Sequence, residues 1–194
     1  MCGRYTLRNS KAVKEKHLLN IDVSYNIAPS QQVLTQTSSP TFMNWSYNPT
    51  WAKTPMNLIN ARSETLNIKP SVKMAKRCLI IVDGWFEWLR TNNYKQPYFF
   101  HMSDFLFSFA GIYTEYNGKK GCAIITKEST KQLSEVHHRM PVIIANDDAD
   151  SWLLGEDGFD SKLSENIHYY PVSTIVNSPR NNNIDCIKQI STAI

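Results

Sequence analysis

Residues 77–126 constrain the fold of this chain more than any other stretch. Residues 77–88 read RCLIIVDGWFEW, a β-branched and aromatic run interrupted by Asp83-Gly84. A turn at Thr91-Asn92-Asn93 leads to 96–102 (QPYFFHM), then 105–113 (FLFSFAGIY) and 121–126 (GCAIIT). β-Branched and aromatic side chains favour the pleated, half-buried surface of a sheet. Between the last two runs lies Asn117-Gly118, the pair that tight hairpins prefer because both residues accept positive φ. Further short strands are expected at 32–37, 41–47 and 140–145.

Helices are fewer and short. Ser10 can cap a helix running to residue 19, and Pro70 suits the first turn of one over 71–76. Ser129 or Thr130 can start one ending at residue 136. Asn146 can cap 147–154, which opens on acids and ends before Gly155. Strand runs with irregularly interspersed helices predict an α+β fold, a single domain over 1–194. Its core would be a curved, mainly antiparallel, β-barrel-like sheet with short peripheral helices.

Composition narrows the function classes. The 194 residues are 42% hydrophobic and 20% charged, with a net charge of +4. That balance permits a nucleic-acid groove without demanding one. The four cysteines, Cys2, Cys78, Cys122 and Cys186, form no CxxC pair, so a zinc ribbon or thioredoxin-like site is not expected. No GxGxxG or P-loop supports a nucleotide cofactor. No apolar run reaches the roughly 18 residues of a membrane span, and no signal peptide precedes Cys2, so the expected compartment is the cytosol, or the nucleoid if DNA is bound.

Four segments carry candidate chemistry. The chain opens Met1-Cys2-Gly3-Arg4-Tyr5. Removal of Met1 would leave Cys2 with a thiol and a free α-amine, which titrate near ~8.5 and ~7.7–8.0. Such a 1,2-aminothiol attacks acyl carbons or condenses twice with an aldehyde to close a thiazolidine. Asn60 and Arg62 lie in NLINARSET, where the plain alternative is a helix cap beside a solvated arginine. Glu87 lies between Phe86 and Trp88. Facing inward it would be a proton carrier near neutrality; facing outward it is the ordinary polar position of an alternating strand. In VHHRMP, His137 and Arg139 offer a titratable ring and a phosphate fork, although loop histidines are more often simply solvated. The remaining histidines are scattered singly, so no metal site is expected.

Together these segments resemble the SRAP family, the SOS-response-associated peptidase domain that shields abasic sites in DNA. The resemblance rests on MCGRY, YNIAPSQ at 25–31, WSYNPTWA at 45–52, INARSET at 59–65, RCLIIVDGWFEW at 77–88, KQPYFF at 95–100, HHRMPVII at 137–144 and PVSTIVNSPRNN at 171–182. It implies a single α+β domain with a positively charged groove and no metal or organic cofactor. It implies binding to single-stranded DNA that bears an abasic site, and a covalent crosslink through Cys2 once Met1 is gone.

Carried over residue by residue, Cys2 is the nucleophile and Asn60 orients it. Glu87 moves protons, and His137 contacts the opened sugar. Arg4, Arg62 and Arg139 grip phosphates, while Asn26 and Pro29 border the site; Trp51 is a candidate surface for base stacking. A monomer is expected. Two positions depart from the family pattern: Ser46 replaces a common glycine, and His138 a common acid. Two rival readings remain at this stage. One is a thiol peptidase or amidase in which Cys2 attacks an amide; the other is a non-catalytic nucleic-acid binder that would tolerate loss of Cys2.

Overall fold

A computed structural model describes residues 2–91, 94–103, 105–157, 163 and 166–191. Asn92 and Asn93 of the expected turn, and Met1, lie outside the described residues. The elements run β1 (Tyr5–Leu7), α1 (Ser10–His17), β2 (Ser24–Ile27), β3 (Gln32–Gln36), β4 (Pro40–Asn44), β5 (Asn60–Arg62), β6 (Lys76–Val82), β7 (Gly84–Arg90) and β8 (Lys95–His101). They continue with β9 (Phe107–Tyr116), β10 (Lys119–Glu128), β11 (Arg139–Pro141), β12 (Ile143–Ile144), α2 (Ala149–Leu154) and β13 (His168–Pro171).

The strands form two sheets. In the larger one, pairings β10–β9, β9–β6, β6–β3, β3–β4 and β4–β10 close into a ring. The ring begins from the β9–β10 hairpin, where Asn117 and Gly118 both take positive φ, 51° and 73°. It closes at the parallel pair Gly121↔Asn44. A Cβ on Gly121 would stand 2.2 Å from the Ser46 carbonyl oxygen, so glycine is what lets the two backbones meet there. The ring encloses apolar side chains such as Cys78, Ile80, Phe109, Cys122 and Ile124, all fully buried.

The smaller sheet is antiparallel throughout, in the order β13-β8-β7-β1-β2. The apolar run at 77–88 therefore feeds two sheets. It divides at Asp83, whose buried carboxylate accepts from Thr6 Oγ1 at 2.6 Å, Asn9 N at 2.8 Å, Arg8 Nε at 3.1 Å and also Arg8 N. This knot ties the start of the chain against the beginning of β7. Phe86 and Phe99 face a small second core with Val172, Val176 and Cys186.

The α+β expectation holds, and several local expectations are corrected. No helix forms over 71–76: residues 70–74 make turns on the Lys69 carbonyl, and Lys76 is already extended to pair with Tyr113. Tertiary ladder bonds override local preference there. Of the helix expected over 129–136, only a 3₁₀ turn at Leu133–Glu135 exists. The 10–19 helix is capped by Asn9, which accepts from Ala12 N at 3.0 Å, and it stops where Leu18 turns left-handed. The 147–154 helix starts at Ala149 and ends at Gly155, φ 105°. The 140–145 strand is two short ones: β11 pairs with β10, and β12 with β9. No described helix is long and apolar enough to cross a membrane.

Candidate active site

The smaller sheet sets the position of residue 2. β1 runs antiparallel to β7, with Tyr5 opposite Trp85, and Phe86 N donates to Arg4 O at 3.0 Å. The chain before Arg4 therefore runs beside Glu87. Cys2 is fully buried; its Sγ donates weakly to Arg4 O at 3.7 Å. Burial pushes the thiol well above its ordinary range, and the neighbouring Glu87 charge adds to the rise.

Asn60 arrives from the other sheet. β5 lies parallel to β10, Asn60 opposite Ile124, which points the amide at the chain start. Its Nδ2 donates to Cys2 O at 2.9 Å. Its Oδ1 is buried with no hydrogen-bond partner among the described residues.

Glu87 takes the inward of its two possible faces. Period-two alternation puts it with Trp85 on the side of the main core, while Phe86 and Trp88 face the second core. Its residual exposure is 2%. Desolvation penalises the ionised carboxylate and pushes it up to about 7. Its Oε2 stands 4.0 Å from His137 Nδ1.

His137 follows the 3₁₀ turn, with its N donating to Leu133 O at 3.2 Å. Burial, the largest cause, pushes its ring down to about 4. The ring is therefore neutral at pH 7. Nδ1 stands 3.0 Å from Arg139 N and 3.1 Å from Arg139 O, so the Arg139 backbone holds this edge of the ring in either tautomer. The His138 ring stacks on it, centroids 4.6 Å apart.

A cleft of about 330 Å³ opens on this group, lined by Glu87 and His137 and by the cations Arg4, Arg90 and Lys95. Gly3, Trp88 and Asn177 complete the lining, the last two joined by an indole N–H···Oδ1 bond of 2.7 Å. A second cleft of about 630 Å³ shares Trp88, Arg90 and His137 and extends to Arg62 and His138. Five of the expected site residues, Cys2, Asn60, Glu87, His137 and Arg4, thus come together, and Arg62 lines the adjoining cleft.

The others stand differently. Arg139 also borders the second cleft, but its side chain is buried: its Nη1 and Nη2 fork onto Glu64 at 2.6 and 3.0 Å, and Nη2 also reaches Thr126 O at 2.5 Å. Asn26 is buried too, its Nδ2 donating to the carbonyls of Val176, Ser178 and Asn181 at 2.8–3.1 Å. This bond set fixes the segment that delivers Asn177 to the cleft. Pro29, in the turn after β2, lines neither cleft, and nor does Trp51, which is 60% exposed and donates to Pro70 O at 3.3 Å. Ser46 hydrogen-bonds Asn57 Oδ1 at 2.8 Å, beside a separate cleft containing Lys119 and Lys120.

Sequence reasoning missed Arg90, Lys95, Glu64 and Asn177. Arg90 and Lys95 face each other across the β7–β8 ladder, a like-charge pair that costs stability unless an anion joins it. The two cations flank the 91–93 turn in the sequence, and pairing 77–88 with 96–102 as a hairpin exposes them.

The sequence matches the model of the SOS response associated peptidase (SRAP) family over residues 1–179. It is 35% identical to the abasic site processing protein YoqW of Bacillus subtilis (strain 168), the match covering 97% of this chain and 99% of that one. That alignment runs over 224 positions, more than this chain has, so YoqW carries insertions relative to it. Identity to the abasic site processing protein HMCES of Xenopus tropicalis is 31%, covering 76% of this chain and 56% of HMCES. Among solved structures, a Bacteroides thetaiotaomicron protein superposes with a TM-score of 0.80 at 23% identity, covering 98% of this chain and all of that one. A phage-related protein of Bordetella bronchiseptica gives 0.68 at 25% identity, over 88% of this chain and 94% of that one.

Proposed function

This chain belongs to the SRAP family, and from that premise we propose that it processes abasic sites in DNA by condensing Cys2 with the ring-opened sugar. The observation that carries this reading is the meeting of Cys2, Asn60, Glu87 and His137, four residues far apart in sequence, beside a cleft lined by Arg4, Arg90 and Lys95.

The steps follow from the groups present. An abasic deoxyribose is mostly a cyclic hemiacetal, and opening it moves a proton between the 1′-hydroxyl and the ring oxygen. Glu87, poised at about 7, can both take and give that proton. Once Met1 is removed, the α-amine of Cys2 adds to the C1′ aldehyde and one water leaves, giving an imine. The thiol then adds to the same carbon. One C–N and one C–S bond form, the C=O bond is lost, and the thiol proton passes through Glu87 to nitrogen. This second addition is intramolecular and needs no free thiolate in advance, so a buried, protonated thiol suits it.

Asn60 Oδ1 offers an open acceptor to the new amine or to a sugar hydroxyl. His137, neutral at pH 7, serves as a hydrogen-bonding partner of the opened sugar and not as a cation. Arg4, Arg62, Arg90 and Lys95 hold flanking phosphates of a single strand, which need not present any base to be recognised. Pro29 and Trp51 keep a proposed part in DNA binding away from the two clefts, whereas Asn26 and Arg139, buried and bonded to other residues of the chain, are proposed to shape the site from within. A thiol peptidase is the poorer fit, because such enzymes depress the thiol pKa beside a cationic histidine, and here burial and Glu87 raise it.

The test is intact-protein mass spectrometry after mixing with single-stranded DNA carrying one abasic site. The expected adduct is protein lacking Met1 plus DNA minus one water, absent from Cys2→Ala. A protein with Met1 removed that gives no adduct overturns the reading.

A further inference from the structure

The ion pair between Glu64 and Arg139 lies outside the chemistry just described, yet it touches both sides of it. Glu64 sits in the 3₁₀ turn Ser63–Thr65 directly after β5, the strand that carries Asn60. Arg139 is the first residue of β11, and its backbone N–H and C=O both lie within hydrogen-bond reach of His137 Nδ1, at 3.0 and 3.1 Å. The fork closes with two bonds, 2.6 and 3.0 Å, and Thr126 of β10 braces it from between, its carbonyl 2.5 Å and its hydroxyl 3.3 Å from Nη2. Thr126 is opposite Arg62 on one side of β10 and opposite Pro141 on the other. β5 and β11 therefore flank one strand, and Glu64–Arg139 ties their ends together across it.

We infer that Glu64 is a positioning residue, which through Arg139 fixes the orientation and tautomer of His137 relative to Cys2 and Asn60. The Arg139 side chain is only 8% exposed, so its charge needs a partner where it stands. Glu64 is itself about half exposed and lines neither cleft. Without its carboxylate, the buried guanidinium keeps only Thr126 and turns toward water. The backbone of Arg139 moves with it, and its contacts with His137 Nδ1 go too. The groups around that ring include the amino terminus, Glu87 and Arg90 on β7, His138 beside it, and Arg139 itself.

The kinetic consequence rests on the crosslinking reading; the ring's tautomer does not. The experiment uses Glu64→Gln, with Glu64→Asp as the conservative variant, on the full chain. Nitrogen-15 NMR of the His137 imidazole in the DNA-free protein should show one and the same tautomer in the wild type and in Glu64→Asp. In Glu64→Gln the two ring nitrogens should move toward a tautomer average. With abasic single-stranded DNA, Glu64→Gln should crosslink roughly tenfold more slowly, and Glu64→Asp should recover most of that loss. Affinity for the same strand without the lesion should stay within about twofold of wild type. An unchanged His137 spectrum in Glu64→Gln overturns the inference, as does a loss of undamaged-strand affinity that matches the loss of rate. If the wild type forms no adduct, the crosslinking reading fails by itself, and the imidazole spectra still decide the role of Glu64.

Discussion

Asp83 and Glu87 are two buried carboxylates on one stretch of chain, and they meet opposite surroundings. Asp83 ends the β6–β7 break inside a shell of donors: a hydroxyl, two backbone N–H groups and a guanidinium. Glu87, on the side of β7 facing Cys2, has a neutral imidazole 4.0 Å away and is pushed up to about 7. Donors satisfy the first charge, so it serves as a structural tie. Desolvation outweighs the other influences on the second and lifts it to where it changes protonation near neutral pH. Burial of an acid thus says little about its role until its donors are named.

Breaking the tie gives the largest effect. Asp83→Ala strands Arg8 and two backbone donors, and should cost roughly 3–5 kcal/mol of unfolding free energy, read as a lower urea midpoint. Crosslinking per folded molecule should be little changed. A variant of full stability would erase the distinction drawn here.

Glu87→Gln should do the reverse. The folded pKa of Glu87 lies above its unfolded value, so the folded state holds the extra proton and wild-type stability falls as pH rises from about 4 to about 7. At pH 8 the ionised, buried carboxylate costs on the order of 3 kcal/mol. The glutamine variant avoids this cost, and thermal melts should show it more stable than wild type at pH 8 and nearly equal to it at pH 4. The same variant should crosslink about a hundredfold more slowly, the usual scale for a lost proton carrier. A Glu87→Gln protein that reacts at the wild-type rate removes Glu87 from the chemistry.

The smallest effect belongs to the rim. Arg90→Gln should weaken binding to undamaged and abasic strands alike, and should lower the slope of log affinity against log salt by about 0.7, one phosphate contact on a single strand. An unchanged slope would place Arg90 off the strand's path.

The residues made much of this legible. The break at Asp83-Gly84 and the hairpin at Asn117-Gly118 are local signals, and the structure uses both. The short strands β1, β2, β5 and β13 were not legible, because each is defined by its partner and not by its own pattern. The facing of Glu87 was open to two readings, since alternation gives a period without saying which face meets the core. Arg139 reads in sequence as a free cation because Glu64, its partner, lies on another element that only the parallel β5–β10 pairing brings near.

β1 is held along both edges, by β2 on one side and β7 on the other. In the proposed adduct the DNA is fastened to the residue just upstream of that strand. A machine pulling on the DNA would therefore load β1 in shear, against two ladders and the Asp83 knot at its far end. The attachment point cannot fray away from the body of the protein. Mechanical clearance of such an adduct would have to strip a central strand out of a sheet, so its lifetime under force would be governed by the unfolding rate of the domain.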